Sequence, residues 1–128
     1  MRTMVEFQAS GVRYCLPVET TRAVRSTVGM VALPSPQPNV AGLLPGDPPL
    51  TVLAPYGTYG DHVIVLHVDD LDCGLLVESV TGLRRIDEND IRPAPRGQEK
   101  ALVSGSIVID GKMVLLADPR EIVLSPDV

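Results

Sequence analysis

The side chains able to do acid–base, nucleophilic or metal chemistry are few, and they are not grouped. His62 and His67 are the only histidines. On one strand their odd separation puts them on opposite faces, so they cannot share a metal ion. Cys15 and Cys73 form no Cys-x-x-Cys and are each flanked by apolar residues, which favours buried, reduced thiols packed as small hydrophobes. A disulfide between them stays open on sequence grounds. Asp69, Asp70 and Asp72 lack the spaced ligands and distal bidentate Glu of a calcium loop and read as a solvated hairpin tip. Ser104-Gly105-Ser106 is not the Gly-x-Ser-x-Gly of a nucleophile elbow; its small residues suit close backbone approach within a strand. Asp-Thr-Gly, Asp-Ser-Gly, a P-loop and a dinucleotide fingerprint are all missing. Pro45-Gly46-Asp47-Pro48 matches P-x-x-P only formally, inside an expected turn. No catalytic set emerges, and neither a cofactor nor a metal is expected. The chemistry left is recognition.

Composition narrows what is recognised. AVILMFWYC residues make up 45% of the 128, enough for a packed core and against whole-chain disorder. Aromatics are 3% with no Trp, which removes the stacking platform of a single-strand binder. The net charge of -5, with no basic run, argues against a phosphate-binding surface. Residues 1–64 hold four basic and four acidic side chains; residues 65–128 hold seven and twelve. The acidic half suits either a basic partner or plain solvation. No apolar run approaches the ~20 residues of a membrane span, and Met1-Arg2-Thr3-Met4 leads straight into alternating strand without a signal pattern. The expected compartment is the cytoplasm.

The elements that must position these residues are strands. Val and Ile together supply 24 residues, in short runs punctuated by Gly and Pro. Val5, Phe7 and Ala9 alternate with polar residues, Ser10-Gly11 turns, and Val12, Tyr14 and Leu16 return as a hairpin. Asp110-Gly111 predicts a second hairpin between 106–109 and 112–116. Leu44-Pro45-Gly46-Asp47 suits a type II turn. His62–Val68 and Cys73–Val80 read as strands joined by an acidic turn. Glu19–Arg25 reads as about two helical turns. Asp118 as cap, Pro119 at the first helical position and Glu121 completing a capping box predict a terminal helix through Ile122-Val123-Leu124, ended by Ser125-Pro126. Half of the twelve prolines fall between Pro34 and Pro49, an irregular or edge-forming segment that marks a crossing between two lobes.

The order of segments carries a resemblance. Tyr14-Cys-Leu-Pro-Val18, Leu33-Pro34, Val40-Ala-Gly42, His62–Val68, Gly74–Val80, Ile91-Arg-Pro-Ala-Pro95, Val103-Ser-Gly105 and Met113–Asp118 follow one another as in the CheW family of bacterial chemotaxis coupling proteins. Ile91-Arg-Pro-Ala-Pro95 is the most specific piece. The resemblance implies one CheW-like domain over residues 4–124. It implies an all-β fold of two small packed β-barrels of about five strands each, the first lobe roughly 10–60, with a short C-terminal helix. It also implies a function by binding alone: an adaptor between a histidine kinase of the CheA type and chemoreceptor cytoplasmic tips.

Carried over residue by residue, Val18, Val24, Val77, Val80 and Leu83 match apolar positions of the groove between the lobes, where a receptor helix would dock. Met30, Leu33, Leu43, Leu44 and Asp47 match the region facing the kinase. For each apolar position the alternative is barrel core; for Asp47 it is a solvated turn. The stretch after Gly42 departs from the family: Asp47 stands where a loop Arg is usual, and Pro55 and Gly57 replace a later Asp and Arg. Thr21 and Ala23 stand where Val and Glu are common. An Arg fork exchanged for a carboxylate reverses the sign of any pair it made. Two further readings follow: a divergent module serving a non-chemotaxis kinase or regulator, and a small β-barrel binding a metabolite between its lobes.

Overall fold

The computed structural model describes residues 1–33, 37, 39–97 and 102–125. Pro34, Pro36, Pro38 and Pro126 lie outside them. The elements are β1 (Arg2–Ala9), β2 (Val12–Pro17), β3 (Thr21–Ser26), β4 (Val40–Leu44), β5 (Leu50–Leu53), β6 (His62–Val68), β7 (Leu71–Val77), β8 (Ser79–Ile86), β9 (Val103–Ile109), β10 (Lys112–Ala117) and α1 (Pro119–Leu124). Three hairpins turn on residue pairs at positive φ: Ser10-Gly11, Asp69-Asp70 and Asp110-Gly111. Such turns match the right-handed twist of the strands they join.

The strands form two five-stranded sheets, β8-β1-β2-β10-β9 and β3-β6-β7-β5-β4. Read from β8 and from β3, both follow one pairing order: antiparallel, antiparallel, parallel, antiparallel. The chain changes sheet at Val18–Thr20 and at Glu78, so the second sheet takes residues 21–77 and the first takes both flanks. The lobe limit expected near residue 60 is therefore displaced, because β6 and β7 pair with β3 and β5. The sheets are also not closed barrels. In each, the segment after the edge strand makes one isolated bridge to the far edge: Val31 to Leu43 on β4, and Arg92 to Ser106 on β9. A glycine precedes each bridged residue. A Cβ at Gly42 would come within 2.6 Å of the Val31 carbonyl oxygen, and one at Gly105 within 2.9 Å of that of Arg92. The close-approach reading of Ser104-Gly105-Ser106 thus holds.

Between the sheets lies the main core, with Phe7, Tyr14 and Leu16 from one side, Leu53, Ile64, Leu66 and Leu75 from the other, and Ile122 and Val123 of α1. The other face of each sheet is buried too. Met4, Cys15, Ile86, Ile107, Val114 and Leu116 fill the first sheet, and Leu44, Val52, Ala54, Val63 and Leu76 fill the second. Burial on both faces is why Val114–Ala117 and Val63–Leu66 run apolar without alternation.

Local readings change in four places. Glu19–Arg25 is one 3-10 turn at Val18–Thr20 followed by β3, since β-branched Thr20, Thr21 and Val24 favour strand over helix. Cys73–Val80 is two strands broken at Glu78, where the chain changes sheet. Gly46 does not take the positive φ of a type II turn; the chain bends instead through Pro45–Pro49, where prolines restrict both themselves and their predecessors. Helix α1 starts as expected, with Asp118 Oδ1 accepting from the Arg120 and Glu121 amides at 3.1 and 3.3 Å. Glu121 completes no capping box, because the Asp118 N–H already donates to the Leu102 carbonyl at 2.8 Å.

Candidate functional site

Strands β3 and β8 hold equivalent places, each the edge strand next to an antiparallel neighbour. Both carry a β-bulge: Arg22 is the extra residue in β3, and Thr81 is the extra residue in β8 before Gly82 at φ 141. Bulges twist an edge and discourage strand-to-strand aggregation, so what these strands offer a partner is side chains.

Register decides where the side chains point. Val24 lies opposite Ile64, and Leu83 opposite Val5, both members of the core between the sheets. Directly opposed residues of an antiparallel pair share a face. Val24 and Leu83 therefore project on the sides that the two sheets turn toward each other, yet they remain 49% and 65% exposed. Val18 and Val80 are half-buried against the same core, and the Val18–Thr20 turn touches both β1 and β6. These four residues make one set of apolar positions on the side of the core, two exposed and two half-buried. Val77 does not join it. It is fully buried, because β7 is a central strand covered on both faces.

The second group is more dispersed. Met30 and Leu33 are half-buried, Met30 packing on the second sheet's own core, and Leu43 is half-buried in the bridge to Val31. Leu44 is fully buried in that core and offers no surface. Asp47 is exposed in the bend before β5.

The groups singled out for chemistry have structural duties. Cys15 and Cys73 are free, buried and in different clusters. Burial pushes both thiols up to about 12, with Glu6 adding to the effect at Cys15 and Asp72 at Cys73. Neither is a nucleophile near neutral pH. The Tyr56 hydroxyl donates to the Leu102 carbonyl at 2.7 Å, and burial raises its pKa far above the ordinary phenol range. His62 Nδ1 donates to the Glu78 carbonyl at 3.2 Å, while His67 Nδ1 lies 2.6 Å from Asp72 Oδ1. Among the described residues, no three His, Cys, Asp or Glu are grouped to hold a metal. No helix among them is long and apolar enough to cross a membrane.

Two features escaped the sequence reading. Glu6, fully buried on the far face of β1, is clamped by Arg13 at 2.7 Å and by Arg84 at 3.2 Å. Its Oε1 makes no well-aligned hydrogen bond, so the Arg84 contact is ionic in character. Arg84 also reaches Asp110 at 3.5 Å, which ties edge strand β8 to the β9–β10 turn. The other is the charge of the edge strands. Strands β3 and β8 contain Arg22, Arg25, Arg84 and Arg85 and no carboxylate. The signal was present in Thr21–Ser26 and Ser79–Ile86, but only pairing shows that the two segments are equivalent.

The model of the CheW-like domain family matches residues 51–126, more than half of the chain. Among solved structures, the scaffolding protein TtCheW from Thermoanaerobacter tengcongensis is similar at a TM-score of 0.78. It shares 23% identity over 90% of this chain and 87% of that one. No curated protein sequence matches the chain. The family model spans more than half of the chain, and the chain belongs to the CheW-like domain family.

Proposed function

We propose that this chain is an adaptor of bacterial signal transduction, linking a histidine kinase of the CheA type to chemoreceptor cytoplasmic tips by protein–protein contacts and without a catalytic step. Family membership supports the class. The observation that carries the reading is that Val24 of β3 and Leu83 of β8 stay exposed on the core side of their sheets, while Val18 and Val80 are half-buried against that core. The apolar face of an amphipathic helix docked against these positions would cover exposed aliphatic surface. Met30, Leu33, Leu43 and Asp47 form the kinase-facing surface in this reading.

Asp47 favours a second form of the proposal, a module for a divergent kinase. It is exposed where family members usually carry Arg, so the partner presents a basic or neutral group there. Affinity capture of the native protein with mass spectrometry tests both forms. Recovery of a histidine kinase or a chemoreceptor supports the adaptor, and the kinase's own sequence separates the two forms. Recovery of metabolic enzymes alone overturns it.

A further inference from the structure

A cavity of about 480 Å³ opens into the second sheet's own core. Its floor is apolar, made by Ala54, Leu76 and Met30, which pack on the face that this sheet turns away from the other. The cavity therefore does not lie between the two sheets. Its described lining adds three polar side chains, Gln37, Asn39 and Thr58, and no ionisable one. Two backbone bonds hold this wall. The Val40 N–H donates to the Gln37 carbonyl at 3.2 Å, and the Ala54 N–H donates to the Asn39 carbonyl at 2.7 Å. Asn39 takes φ 64, a left-handed conformation that Asn tolerates better than most residues. Both bonds use backbone atoms alone, which leaves the two carboxamides free. Among the described residues, neither carboxamide nor the Thr58 hydroxyl has a hydrogen-bond or ion-pair partner. Two other cavities differ in charge. The one beside Val12 and Met113 carries Arg13 and Lys112, and the one beside Pro17 carries Arg2, Glu19 and Asp118.

We infer that this cavity binds an uncharged small molecule carrying an amide group and an aliphatic group. Its volume suits such a ligand, since small-molecule pockets span roughly 300–1,000 Å³. A carboxamide presents a donor and an acceptor side by side, the complement of an amide edge, and the Thr58 hydroxyl serves as either. The apolar floor selects the aliphatic group. Charge is selected against. An ammonium or carboxylate entering the cavity would lose water and meet no counter-ion in the described lining. The inference goes beyond the adaptor reading and does not rest on it.

Three probes that share the leucine side chain test this class: neutral N-acetyl-leucinamide, the carboxylate N-acetyl-leucine, and the ammonium ion leucinamide. Each is titrated into the isotope-labelled full chain at about pH 6, where the last two are charged, and backbone amide shifts are followed by NMR. The neutral probe moves the amides of Asn39, Thr58 and Gly60 and binds at least about tenfold more tightly than either charged one. Ala41→Leu, which adds bulk to the lining from a half-buried position, weakens the neutral probe roughly tenfold. Asn39→Asp keeps the side-chain size and the tolerance of a left-handed backbone but adds a carboxylate. It weakens N-acetyl-leucinamide and raises leucinamide to the same affinity or above. Because Asn39 is exposed, this variant gives a readout even where Ala41→Leu fails to fold. Equal binding of all three probes, or tighter binding of a charged one, overturns the neutral class. No binding by any probe, shifts confined to other parts of the chain, or neutral-probe binding indifferent to Asn39→Asp overturns the site itself.

Discussion

The sheet built on β1 and the sheet built on β6 follow one pairing order, share a bulged edge strand, and each close with a single bridge beside a glycine. They differ in what fills them. The second sheet's own core is entirely apolar, built from Leu44, Val52, Ala54, Val63 and Leu76. The first holds a buried carboxylate, Glu6, between two arginines, one of which also fastens the edge strand to a distant turn. One topology can thus be held by hydrophobic burial alone or by burial plus an ionic clasp. The clasp costs desolvation and fixes where β8 lies relative to the β9–β10 turn.

Breaking the clasp separates the two modes most strongly. Arg13→Ala with Arg84→Ala leaves Glu6 buried without a counter-charge, and stability should fall by about 3–5 kcal/mol in urea unfolding. Adding Glu6→Leu to that background should recover most of the loss, because an apolar replacement removes the stranded charge. A double arginine variant as stable as wild type would show that Glu6 is not held by the clasp.

The bridges sharpen what is shared. Gly42→Ala and Gly105→Ala each force a Cβ toward a backbone carbonyl, and each should cost about 1–3 kcal/mol, Gly42→Ala the more. Chemical unfolding of both variants measures this. If only one substitution matters, the two closures are not equivalent. The smallest effect is expected outside both sheets. Asp118→Ala removes the cap of α1 and should cost about 1 kcal/mol; an unchanged thermal melt would argue against the cap.

Much of this architecture is legible in the chain because its signals are local. Ser10-Gly11 and Asp110-Gly111 announce hairpins, and Asp118-Pro119 announces the helix, each through backbone preferences of adjacent residues. Segment order points to the family. What is lost is non-local. Glu6 reads as a solvent-side partner of Val5 and Phe7, since nothing in its neighbourhood shows that β1 is covered on both faces. Val77 and Leu44 look like surface candidates by position in the family, yet their strands are packed on both sides. Glu19–Arg25 admits a helical reading because a short polar stretch with scattered apolar residues has no firm period.

We propose that the exposed Val24 and Leu83 of the edge strands β3 and β8 are where the chain would meet a receptor. The most direct measurement is parallel affinity capture with wild-type protein and with Val24→Asp/Leu83→Asp, followed by mass spectrometry. Both substitutions lie at exposed positions, and matching thermal melts establish that the variant is folded. Wild type is expected to retain a histidine kinase and a chemoreceptor, and the variant to lose the receptor while keeping the kinase. Retention of the same receptor by both proteins would contradict it.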